Sequence, residues 1–90
     1  MAIKTITYQV EVTPKGSKFW YLNGQRHREG GPAIEYANGD KEWYIDGVLH
    51  REDGPAIEYA DGEKSYWLYG VHHSKKEFPK KLKWYKLTKA

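Results

Sequence analysis

The chain repeats itself every 23 residues, and this period restricts its fold more than any other feature. Residues Gly24 to Asp46 read GQRHREGGPAIEYANGDKEWYID and residues Gly47 to Tyr69 read GVLHREDGPAIEYADGEKSYWLY, identical at 13 of 23 positions. The phase continues outside both copies: Gly16, Gly39 and Gly62 correspond, as do Trp20, Trp43 and Tyr66, and His27, His50 and His73. A fixed period of this length marks stacked supersecondary units, each too small to bury its own apolar side chains. Such stacks build surfaces more often than active sites.

Within each copy the apolar residues alternate with period two, the pattern of half-buried strands. Asn38-Gly39 and Asp61-Gly62 interrupt the alternation, and both dipeptides favour tight hairpin turns. A two-residue turn at Asn38-Gly39 predicts Ile34 opposite Trp43 and, one repeat later, Ile57 opposite Tyr66. One face then carries Trp20, Leu22, Ile34, Tyr36, Trp43, Ile45, Ile57, Tyr59, Tyr66 and Leu68, the better core. The other carries Tyr21, Tyr44 and Trp67 among Ala33, Glu35, Ala56 and Glu58.

The ends differ from the repeats. Met1 to Val12 alternates and reads as a strand joined to Phe19-Trp20-Tyr21-Leu22 through Pro14-Lys15-Gly16, an atypical capping copy. After Gly70 the pattern changes: Ser74-Lys75-Lys76-Glu77 has capping-box spacing, and Phe78, Leu82 and Tyr85 follow at helical spacing. Pro79 would clash inside a helix starting at Ser74, so a kink or a delayed start is expected. The expected organisation is a β-hairpin repeat domain over 1–73 and a basic helical segment over 74–90 packed on or beside the sheet. The fold class is all-β: an antiparallel meander, a single layer of about six strands, with a short C-terminal helix.

Composition bounds the rest. Ninety residues make one small domain with a thin core, in which 16% aromatic residues must supply most of the burial. Without cysteine there is no disulfide framework and no thiolate metal site. No apolar run approaches the ~20 residues of a membrane span, and a cytoplasmic protein is the expectation. The net charge of +3 is uneven: seven lysines and one acid between Lys75 and Lys89 give that segment +6, leaving about −3 elsewhere. The tail is an electrostatic handle on a mildly acidic body.

Several residues could carry chemistry. His27-Arg28 and His50-Arg51 could form a phosphate-binding row, since arginine forks match phosphate oxygens; alternatively they tie the inter-hairpin loops to neighbouring repeats. Histidines 23 residues apart lie about two strand spacings (~9–10 Å) from one another, too far to share one metal ion, so no metal site is expected. No nucleophile–base set is recognisable, and neither an enzyme nor a cofactor is expected. Lys80, Lys81 and Lys83 beside Trp84 could meet phosphates and stack bases, or face water on a packed helix. Tyr21, Tyr44 and Trp67 form an aromatic stripe of the kind that marks a partner surface.

The run Trp20-Tyr21-Leu22-Asn23-Gly24-Gln25-Arg26-His27, with Gly39 twelve residues after His27, resembles MORN repeats. The closer likeness is to the MORN-like variant with His-Arg-x-x-Gly-Pro-Ala, similar to small proteins of tailed bacteriophages, over roughly Ser17 to His73. Arg28 and Arg51 stand where MORN repeats have Gly after His, and Pro32 and Pro55 also depart. The resemblance implies a single-layer sheet of hairpins used for protein association, and a phage setting in which host or antiviral-defence proteins are targets. The expected function is a non-catalytic accessory protein that binds and inhibits such a protein, as a possible homodimer. The alternative is nucleic-acid or nucleotide-phosphate binding through Arg28, Arg51 and the lysine tail.

Overall fold

The computed structural model describes residues 5–88. Its strands are β1 (Gln9–Val12), β2 (Lys18–Leu22), β3 (Gln25–Arg26), β4 (Ile34–Glu35), β5 (Lys41–Glu42), β6 (Tyr44–Ile45), β7 (Val48–Leu49), β8 (Ile57–Glu58), β9 (Lys64–Leu68) and β10 (Val71–His73), followed by helix α1 (Phe78–Thr88). The main sheet runs β1-β2-β4-β5-β8-β9-β10 with β3 also on β2, all pairs antiparallel, and β6 and β7 form their own ladder. It is an all-β antiparallel hairpin meander with one C-terminal helix, and its described residues form a slab of 46 × 39 × 17 Å.

Each repeat contains two reversals, at opposite ends of the strands. At one end Asn23-Gly24, Asp46-Gly47 and Tyr69-Gly70 turn the chain, all six with φ between 50° and 84°. Positive φ at both central residues is the two-residue turn whose twist matches the flanking strands, here pairing Leu22 with Gln25, Ile45 with Val48 and Leu68 with Val71. At the other end Ala37-Asn38-Gly39 is a three-residue loop, closed by Gly39 N–H on the Tyr36 carbonyl and Tyr36 N–H on the Asp40 carbonyl, both 2.9 Å. Pro14-Lys15-Gly16 and Ala60-Asp61-Gly62 turn in the same way.

The extra loop residue corrects the expected register. Ile34 faces Glu42, not Trp43, and Ile57 faces Ser65, not Tyr66. Because side chains alternate along a strand, a one-residue slip exchanges faces. The row Phe19, Ile34, Glu42, Ile57 and Ser65 lies on one face, the face of Tyr21, Tyr44 and Trp67. Trp20, Trp43 and Tyr66 share the other face with Ala33, Glu35, Ala56 and Glu58. Ala33 and Ile34, neighbours pointing opposite ways, are 0% and 1% exposed, so both faces are covered at the centre of the slab.

Among the described residues ten strands stand where about six are expected, because the two-residue turns add β3, β7 and β10 and a break at Trp43 separates β5 from β6. The N-terminal strand also starts later than its alternation suggests: pairing begins at Gln9, and residues 5–8 are outside any strand, while residues 1–4 lie outside the described residues. The helix has the delayed start. Ser74 Oγ accepts from Glu77 N–H, the N-cap half of the capping box, and donates to the Glu77 carboxylate, both at 3.1 Å. Lys75–Glu77 form a turn closed by Phe78 N–H on the Ser74 carbonyl at 2.9 Å; Pro79 has no N–H to give the Lys75 carbonyl, and the regular helix starts only at Phe78. The helix seats Phe78 on Tyr66 at 4.9 Å and Tyr85 beside Tyr69 at 5.4 Å between ring centroids.

Candidate protein-binding surface

The repeated Trp, His, Arg, Gly, Pro and Ala form one structural unit. Trp20 receives both ends of the loop that follows it: its N–H donates to the Ala33 carbonyl at 2.8 Å, and its carbonyl accepts from His27 N–H at 3.2 Å. Trp43 does the same with Ala56 and His50, at 2.7 and 3.1 Å. Inside the loop the Arg28 guanidinium lies 3.9 Å from the centre of the Trp20 ring and donates to the Pro32 carbonyl at 3.1 Å and to Glu35 at 3.2 Å. Arg51 repeats this over Trp43 at 3.9 Å, with Pro55 at 3.0 Å, Glu58 at 2.7 Å and Asp53 at 2.8 Å. The hydrogen bond from Arg51 holds the Asp53 carboxyl below its ordinary range. The carboxylates of Glu35, Asp53 and Glu58 beside these guanidinium groups offset their charge and weaken their pull on an external anion.

The histidines join one repeat to the next. His27 Nδ1 accepts from Asp46 N–H and His50 Nδ1 from Tyr69 N–H, both at 2.9 Å, so each imidazole caps the following two-residue turn. With Nδ1 accepting, a neutral ring carries its proton on Nε2. His50 Nε2 reaches Glu52 at 3.1 Å, whereas the buried Nε2 atoms of His27 and His73 have no hydrogen-bond partner. Tyr69 has φ of 51°, unusual for a bulky residue, and its ring lies 4.0 Å from that of His50.

The stripe Tyr21, Tyr44 and Trp67 is half-buried. The Tyr44 hydroxyl donates to Glu42 at 2.8 Å, and Trp67 Nε1 donates to Ser65 at 2.6 Å. Burial, reinforced by the Glu42 hydrogen bond, pushes the Tyr44 phenol up to about 12. Arg26 stands between Phe19 and Tyr44, 5.8 and 5.9 Å from their ring centres, and breaks the stripe with a cation.

The helix presents a different surface. Phe78 is buried and Leu82 and Tyr85 are half-buried, while Trp84 is 57% and Leu87 71% exposed. Trp84 and Tyr85 meet at 4.9 Å edge to face and, with Val71, His73, Lys80 and Lys81, line a cleft of about 540 Å³ between β10 and α1. Lys83 and Lys86, both exposed, continue the positive rim around the helix. Lys80, Lys81, Lys83 and Trp84 are thus brought together on α1, apart from the arginine loops. Val71 and Tyr85 belong to the cleft too, and Leu87 lines a second groove on the helix with Pro79, Leu82, Lys83 and Lys86. The sequence signal for Leu87 was the stripe Lys80, Trp84 and Leu87, spaced i, i+4, i+7 opposite the packed face; that stripe includes neither Val71 nor Tyr85.

Comparison of the chain with protein-family models, with curated proteins and with solved structures gives no match. Among the described residues no helix is long and apolar enough to cross a membrane.

Proposed function

We propose that the chain is a non-catalytic binding protein that docks on another protein through the cleft between β10 and α1. The observation that supports this reading is the division of labour among its side chains. The repeated His and Arg are engaged inside the fold, while an exposed tryptophan and leucine ringed by lysines stand on the C-terminal helix. Aromatic anchors with a charged rim are the usual anatomy of a protein interface. The positive rim selects an acidic partner surface. The phage-like character of the repeat supports a host or antiviral-defence protein as target and inhibition as outcome.

A second reading, polyanion binding, is favoured by four exposed lysines, Lys80, Lys81, Lys83 and Lys86, around Trp84. One experiment separates the two. The tagged protein, its Trp84→Ala variant and a Lys80→Gln/Lys81→Gln/Lys83→Gln variant are used to capture partners from bacterial lysate with and without nuclease. The first reading expects a protein partner that survives nuclease, depends weakly on salt and is lost about tenfold or more with Trp84→Ala. Capture that vanishes with nuclease, or falls steeply with salt for the wild type but not the lysine variant, replaces it with the second.

A further inference from the structure

The outermost strand β1 has β2 on one side and, among the described residues, no strand on the other. All four of its residues are exposed, Val10 at 47% and Val12 at 59%. An unpaired edge offers its N–H and C=O groups to another chain, and proteins that stay monomeric blunt such edges with lysine, proline or a bulge. Gln9–Val12 has no lysine, proline or bulge, carries Glu11 as its one charge, and pairs regularly with Lys18–Tyr21 on its inner side.

We propose that β1 pairs antiparallel with β1 of a second copy of this chain, joining two sheets into one across a two-fold axis. The strand is self-complementary about Val10. With Val10 opposite its own copy, valine meets valine on the face of Trp20, and Gln9 meets Glu11 on the other. Apolar thus faces apolar and amide faces carboxylate. The neighbouring register centred on Glu11 would oppose two carboxylates, which disfavours it. The second copy continues the pattern the repeats already follow, in which each strand is covered by the next. An isologous contact of this kind closes after two copies. Pairing β1 to β10 would instead run head to tail without closing, and β10 is short and continues directly into the Ser74 cap of α1.

Sedimentation equilibrium of the full chain over a range of concentrations tests this. A reversible monomer–dimer transition is expected. Val10→Lys and Val10→Glu should each abolish the dimer, because like charges then meet at the axis, and mixing the two in equal amounts should restore it. The chain has no cysteine, so Val10→Cys supplies a second readout: antiparallel partners place their Cα atoms within disulfide reach. It should form an intermolecular disulfide under mild oxidation, and Val48→Cys, exposed but away from the edge, should not. A wild-type chain that stays monomeric at every concentration overturns the proposal. So does a Val10→Lys variant that dimerises like the wild type, or a series of assemblies larger than two.

Discussion

Gly31 and Gly54 are glycines because of arginine. A β-carbon at Gly31 would lie 3.0 Å from the Arg28 guanidinium carbon, and one at Gly54 3.1 Å from that of Arg51. Each guanidinium is therefore layered between an indole and a backbone. Gly31→Ala should lift Arg28 off Trp20 and destabilise the protein by ~1–2 kcal/mol, comparable with Arg28→Ala, since both remove the same charge-assisted bonds. The double variant should cost clearly less than the sum of the two singles, because the clash disappears with the side chain. Urea unfolding of the four proteins checks this, and simple additivity would refute the layered arrangement. Tyr44 gives a second residue-scale test. Its folded pKa, raised to about 12, exceeds the ordinary value of 10. Its contribution to stability is thus complete below pH 10 and lost as pH rises towards 12. In an alkaline titration followed by phenolate absorbance, Tyr44→Phe should remove a late-ionising tyrosine and leave the earlier ones in place.

At the scale of the element, turn chemistry decides the register. Gly39 has φ of 102°, and a β-carbon there would stand 3.3 Å from Ala60, whereas Gly16, with φ of 94°, has open space. Both Ala substitutions incur the strain of a positive φ, about 1 kcal/mol, but Gly39→Ala should lower the melting temperature further than Gly16→Ala. Strands, the meander, the capping box and the packed face of the helix were legible in the sequence, because alternation, Ser-x-x-Glu spacing and the 3.6-residue period are local signals. The register was not. Asn38-Gly39 and Asn23-Gly24 are the same dipeptide, yet one closes a three-residue loop and the other a two-residue turn. What separates them is partly local, since Asn38 Oδ1 accepts from Asp40 N–H and Asp61 Oδ1 from Glu63 N–H, both at 2.9 Å. The rest is non-local: Ala60 N–H donates to the Asp40 carboxylate at 2.7 Å and Ala37 N–H to Ser17 Oγ at 2.9 Å, tying each wider loop to its neighbour. Tyr69-Gly70 carries no turn signal in its first residue at all, and His50 holds it in place from the preceding repeat. The site was legible only in part: the basic helix with Trp84 stood out, whereas its cleft needed Val71 from another strand.

Across the whole molecule, the helix completes what the third repeat leaves unfinished. Ser74 stands where Arg28 and Arg51 stand in the first two, and Phe78 covers Tyr66 where those guanidinium groups cover Trp20 and Trp43. Truncation after His73 should uncover Tyr66 and the fully buried Leu68 and cause aggregation or a lower melting temperature. A soluble, equally stable remainder would argue against this role. The bonds that join repeats occur in phase, as with His27 to Asp46 and His50 to Tyr69. Excising Gly24 to Asp46 should therefore leave Asn23 followed by Gly47 in an intact two-residue turn, and circular dichroism should show a folded, less stable chain. The same property makes size heritable in whole steps. Each gain or loss of one repeat moves the N-terminal edge relative to the helix by two strand spacings, ~9–10 Å. A lineage can in this way change how far apart its two ends stand without having to find a new core.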